Sequence, residues 1–250
     1  MRTNILQKAA IRYPQNTKVN SARKRITGIF LLSLLCVFAV TPTATYAEDK
    51  WTALVEEAGK ILAEIQQMPD QSIPADLLKK CSAIAIFPST VSAGFGIGGK
   101  YGQGILMVRS EKTKQWSSPA FFTLAGGSIG WQIGGQATDF VLLVMNQRSV
   151  DGILQGKFKL GADAAVSAGP VGRNAEAATD VELKGGILSY SRSRGLFAGI
   201  KLGGDVITQH WDANKTLYAK NLSAKEILIE KKVAMPACAK KLLDVLNKYK

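Results

Sequence analysis

The chain has 250 residues, a formal net charge of +13, one histidine and three cysteines. A single histidine and the absence of a CxxC or HExxH leave little for a zinc site or a histidine-based catalytic centre. The basic excess is concentrated at the start, which separates the charge argument from the folded part.

Residues 1–47 carry seven Lys/Arg and no Asp or Glu. Arg23-Lys24-Arg25 precedes the apolar run Ile26–Val40, and small residues stand at Thr45 and Ala47. A basic, then apolar, then small-x-small order predicts a secretory signal cut after Ala47. The competing reading is an uncleaved anchor, but the run falls short of the roughly 20 residues needed to span a bilayer. Leu35 ahead of Cys36 argues against lipidation. The expected location is therefore the periplasm or envelope. The remaining 203 residues hold 25 basic and 19 acidic side chains, a net of +6, and suit one domain, 48–250. That charge is too modest to indicate nucleic acid. Cys81 and Cys238 could pair in an oxidising compartment or stand as buried thiols, and spacing does not decide between the two.

Trp51–Met68 has apolar residues at i, i+3, i+4 and i+7, which predicts an amphipathic helix ended by Pro69. A short helix follows at Pro74–Lys80, then a buried strand at Ser82–Pro88. From Ser92 to Trp211 glycine is dense, and short apolar blocks read as strands: 104–110, 120–127, 140–146, 156–169, 180–191 and 196–211. A helical interruption is expected at Gln147–Gln155. Ser223-x-x-Glu226 forms a capping box before a helix, and Pro236 starts a last one with Leu242, Leu243, Val245 and Leu246 as its apolar stripe.

"FGIGGK" (95–100) recurs as "WQIGGQ" (131–136) and "IKLGGD" (200–205), with "FKLGAD" (158–163) a near copy. On strands, such glycines mark bulges, bends or close backbone approach. The fold class expected is α+β: a strongly bent, mainly antiparallel sheet of about 8–10 strands, open or closed, with helices at both ends of the chain.

The stretch Gly94–Gly104 contains both a GxGxxG and a GxxxxGK. It continues as a strand, and Tyr101 stands where a P-loop needs Ser or Thr, so neither nucleotide nor cofactor binding is expected. His210 reads as structural. No GxSxG elbow is present, and the expectation is a protein without enzymatic activity.

The ordered blocks "AGFGIGGKYGQGILMVR", "PAFFTLAGGSIGWQIGGQATDFVLLVMN", "AGPVGRNAEAATD", "YSRSRGLFAGIKLGGDVI" and "NKTLYAKNLSAKEIL" resemble the SYLF lipid-binding domain, described as actin-binding in fungal members. The resemblance covers about Leu54 to Leu246. It implies a phospholipid- or phosphoinositide-binding module whose first helix, here Trp51–Met68, meets the membrane. That helix has an acidic polar face, Glu56, Glu57 and Glu64 against Lys60, where membrane-surface helices are usually basic. Basic turns beside the glycine kinks are therefore weighted equally with the helix. The lipid-contact candidates are Trp51, Leu54, Lys60, Lys100, Arg173, Arg192, Arg194 and Lys201. The expected partner is anionic membrane lipid, with actin out of reach of an exported protein and protein partners unknown. The alternative is an envelope structural or protein-interaction protein without a lipid ligand.

Overall fold

The computed structural model describes residues 43–172 and 186–249, with backbone alone at 43–48, 95–97 and 128–135. The leader expected at residues 1–47 lies outside the described residues as far as residue 42, as do Arg173 and the predicted turn and strand start between 173 and 185.

Helix α1 spans Thr43–Gln67, so it begins eight residues before the expected Trp51 and runs through Ala47. Its predicted stripe is buried: Val55, Ala58, Ile61, Leu62 and Ile65 are fully enclosed and Trp51 is 6% exposed. Val55, Ile61, Leu62 and Ile65 each contribute roughly 1.5–3 kcal/mol through burial. Gly59 belongs to the same stripe for a steric reason. A Cβ there would stand 2.9 Å from the Leu242 backbone nitrogen, so its absence lets the last helix approach. Beyond Pro69, Gln66 pins the next loop with both ends of its amide, donating to Ile73 O (3.1 Å) and accepting from Ile73 N–H (3.0 Å). Helix α2, Ala75–Lys80, follows with Pro74 at its N-cap.

The sheet is built around two long strands, β1 (Ala83–Val108) and β2 (Ala120–Val144). Fully extended, β1 would be about 85 Å long. It doubles back instead. Arg109 N–H donates to Ser82 O (2.8 Å), and a Cβ on Gly104 or Gly102 would collide with Ile86–Phe87 or Thr90. The side-chain alternation agrees. Ile84, Ile86, Ile105 and Met107 share one core, while Ala83, Ala85, Leu106 and Val108 share the other. Strand β2 follows the same path outside β1. Gly94 pairs Gly134 and Gly96 pairs Gly130, so three residues of β2 span one of β1 where the outer arch needs more chain. Each long strand thus supplies two of the short strands expected from sequence.

Helix α3 (Gln147–Leu154) follows β2, and Asn146 caps it by accepting from Ser149 N–H (2.8 Å). The remaining strands are β3 (Phe158–Lys159), β4 (Ala165–Ala168), β5 (Gly186–Ser193), β6 (Leu196–Gly199) and β7 (Val206–Gln209). Among the described residues the sheet has seven strands. β2 pairs β5 and β7 at its two ends, β7 pairs β3, and β5 pairs β6 and, in parallel, β4. The result is a curled, mostly antiparallel half-barrel that does not close. Helix α4 (Trp211–Tyr218), helix α5 (Ala224–Leu228), a 3-10 turn (Ala237–Ala239) and helix α6 (Lys240–Asn247) complete the chain. Helices α1, α2 and α6 pack on one face of the sheet, and α3 and α5 on the other.

Two expectations are corrected. The four glycine segments do not share one structure: 95–100 pairs with 126–130 and 131–136 with 92–94 in the β1–β2 arch, while 200–205 is irregular and 158–163 leaves β3 at Leu160 for a turn. Positive φ at Gly161 (83°) and Gly204 (81°) breaks the strands there. The segments expected as single strands at 156–169 and 196–211 are each divided accordingly. The capping box at Ser223 and Glu226 forms as read, Ser223 N–H donating to Glu226 Oε2 (2.9 Å) and Glu226 N–H to Ser223 Oγ (3.2 Å).

Gly104→Val should lower stability by about 2–4 kcal/mol in thermal or urea denaturation, because the added side chain meets the Ile86 carbonyl. Gly127→Ala, where a Cβ meets nothing within 4 Å, should stay within about 0.5 kcal/mol of the parent.

Candidate interaction surface

The candidate residues are dispersed by the fold. Trp51 points inward and packs on Phe121 (5.2 Å between ring centroids) and edge-on to His210 (4.8 Å). Leu54 is partly buried against the same core. Lys60 is exposed on α1 and pairs with Glu57 (3.5 Å). Lys201 is exposed in the loop before β7, and Arg194 in the turn between β5 and β6.

Lys100 and Arg192 face opposite sides of the sheet. Lys100 follows the alternation of Leu106 and lies over the Phe140 ring (5.1 Å). Its ammonium meets Asp205 at 3.1–3.2 Å, and Asp205 is 1% exposed. The Asp205 carboxylate crosses the backbone of Gly126, the residue paired with Lys100, and a Cβ there would collide with it. Arg192 follows the alternation of Leu188 and Tyr190, on the α1 side. The two cations therefore cannot share one ligand, and each already holds a carboxylate.

Around Arg192 the geometry is highly specified. Between Phe87 and Thr90, β1 carries two residues against one of β2, a bulge in which Ser89 takes φ +44°. The Ser89 N–H freed from the ladder donates to Asp139 Oδ1 (2.8 Å). Asp139 Oδ2 accepts from Arg192 Nε (2.9 Å) and pairs with Nη2 (2.8 Å). The remaining Nη1 meets Glu64 of α1. This two-carboxylate clamp ties the end of α1 to the cross-strand pair Asp139–Arg192. Burial opposes the Arg192 charge, but the hydrogen bonds it donates to Glu64 and Asp139 prevail and raise its pKa. The Arg192 hydrogen bond holds the Glu64 carboxyl below its ordinary value of 4.5.

His210 caps α4, its Nδ1 accepting from Ala213 N–H (3.3 Å), and its Nε2 lies 3.1 Å from Gln103 Nε2. Burial lowers its pKa. Both cysteines are free, so the bridge left open from sequence is not made. Cys81 Sγ instead donates to Leu78 O (3.3 Å), and burial pushes its pKa up to about 12. Among the described residues no group of three or more His, Cys, Asp or Glu is placed to hold a metal ion, and no helix is long and apolar enough to cross a membrane. Local sequence did not signal Asp139 and Asp205 as countercharges, because both pairings join segments more than 50 residues apart.

Residues 125–249 match the family model described as "Ysc84: Las17-binding protein actin regulator". The chain belongs to the Ysc84 (SYLF) family. It is similar to LAS seventeen-binding protein 3 of Saccharomyces cerevisiae, 38% identical over 181 residues, covering 69% of this chain and 39% of the relative. It is similar to Protein YSC84 of the same species, 37% identical over 181 residues, covering 71% and 38%. It is similar to the SH3 domain-containing YSC84-like protein 1 of Homo sapiens, 32% identical over 200 residues, covering 78% and 58%. The chain thus spans about two fifths to three fifths of the length of these relatives. Their names correct the partner expectation, which favoured anionic lipid and left protein partners unknown. Ysc84-family relatives are named for binding Las17 and for carrying SH3 domains, which points to protein partners.

Arg192→Ala should destabilise the fold by about 1–3 kcal/mol, since Asp139 is left without its countercharge. Because the Glu64 pKa is depressed, its contribution is present above pH 4.5 and fades as pH falls below that value. Urea denaturation of the parent across that window should show this loss, and the Arg192→Ala variant should lack the Glu64 part of it.

Proposed function

We propose that the chain is a non-enzymatic protein-binding module, working as its Ysc84 relatives are named to work, by engaging a partner in actin regulation rather than by chemistry. The observation that carries this reading is the alignment with LAS seventeen-binding protein 3 across 69% of the chain. The electrostatics support it. Lys100 and Arg192 neutralise internal carboxylates, and the apolar stripe of α1 is spent on the sheet. The apolar stripe through which the first helix was expected to meet a membrane is thus enclosed.

Purified full chain should cosediment saturably with actin filaments or be retained by immobilised Las17, and should not float with phosphatidylglycerol vesicles at physiological ionic strength. Flotation with the vesicles and no retention by either protein would overturn the reading.

A further inference from the structure

A groove of about 390 Å³ opens beside the Arg192 clamp, between the end of α1, the β1 bulge and the β5–β6 turn. Met68 and Ala137 form apolar parts of its lining, and Val91, the cross-strand partner of Ala137, is half-exposed beside it. Two guanidinium groups line it, Arg192 and Arg194. Their situations differ in a way that defines what the groove can accept.

Arg192 holds two carboxylates of unequal permanence. Asp139 is fixed: it is on the neighbouring strand, its side chain is 15% exposed, and its oxygens are engaged by Ser89 N–H and by Nε and Nη2 of Arg192. Glu64 reaches the outward Nη1 from a helix, with a side chain 43% exposed. Glu64 is the more exposed half of that pair, so it is the carboxylate that an anion arriving from solvent can reach and replace. Arg194 forms no ion pair among the described residues and is exposed. It occupies φ +50° in the two-residue turn Arg194-Gly195, where Asn or Gly would be the favoured residue. Keeping arginine there holds a cation at the groove at the expense of turn propensity.

Building on the protein-binding reading, we propose that this groove docks an acidic, partly apolar segment of a protein partner, with a partner carboxylate taking the place of Glu64 on Arg192 and a second meeting Arg194. Glu64 is then the internal occupant that the partner displaces. Side chains such as leucine between the carboxylates would lie against Met68, Ala137 and Val91.

The test uses the full chain and a fluorescein-labelled ten-residue peptide of repeating Glu-Ser-Leu, with the matching Gln-Ser-Leu peptide as control, followed by fluorescence anisotropy at physiological ionic strength. The parent should prefer the glutamate peptide. Arg194→Asn should weaken that binding about fivefold or more while leaving the thermal midpoint unchanged or raised. Glu64→Gln should tighten it about threefold or more, because the competitor is gone. If Glu64→Gln proves unstable, Glu64→Asp, too short to span to Arg192, should show the same gain. Lys201→Ala, at an exposed lysine outside the groove, should change nothing. Equal affinity in all variants would overturn the proposal. So would vesicle binding that follows the same residues while the peptide fails to bind. If Las17 or actin filaments bind the parent, Arg194→Asn and Glu64→Gln alike, the groove is excluded and the protein-binding reading stands. If neither they nor the peptide binds, both fall.

Discussion

The pairing of β1 with β2 around a glycine arch is the constraint on which the rest of the molecule depends. Two strands of 26 and 25 residues stay paired, through two register shifts, while both double back, so four sheet positions come from one ribbon. Gly104 and Gly102 let the returning half of β1 lie against Ile86–Phe87 and Thr90. The alternation inside the ribbon then sorts side chains to two faces. Ile84 and Ile105 turn towards α1, whereas Ala85 and Leu106 turn towards α3 and α5. Any side chain that keeps the arch from folding back would separate these faces and leave α1 without a floor.

The same ribbon decides the electrostatics. Lys100 and Asp139 stand on opposite faces of it, and each is completed by a residue from another strand or loop, Asp205 for one and Arg192 for the other. The basic residues that look most available in the sequence are therefore fasteners. Lys100 joins β1 to the entry of β7 across Gly126, and Arg192 joins β5 to β2 and to α1. Cations with a structural countercharge are poor collectors of lipid headgroups, since a headgroup has to compete with an ion already in place. A protein partner offering a shaped acidic segment can compete locally at the more exposed of these contacts, where Glu64 sits.

Sequence reasoning reads local features well in this chain. The α1 stripe from Trp51 to Ile65 follows from periodicity, the capping box at Ser223 and Glu226 from capping chemistry, and the Gln147–Leu154 helix from the lack of strand alternation there. The curled antiparallel sheet was legible from glycine density, although the sheet is open. The continuity of β1 and β2 was not legible, because glycine pairs read as strand ends when their partner is another glycine arch 30–40 residues away. Of the copies of the repeated segment, Ile200–Asp205 is a loop, with Gly204 at φ +81° and Asp205 paired with Lys100, 105 residues distant. The candidate basic residues are chemically conspicuous in the sequence, but the countercharges of Lys100 and Arg192 are long-range. Without Asp139, Glu64 and Asp205 in place, Lys100 and Arg192 look free.

In the proposed function the domain binds its partner with α1 docked on the sheet. Hydrogen–deuterium exchange of the α1 amides tests it most directly, on the full chain alone, with Las17 or actin filaments, and with phosphatidylglycerol vesicles. The account predicts that protection of Trp51–Ile65 is as high with partner as without, and is unchanged by vesicles. Loss of that protection on adding vesicles, with the rest of the sheet still protected, would mean that α1 leaves the fold to enter a lipid surface and would contradict the account.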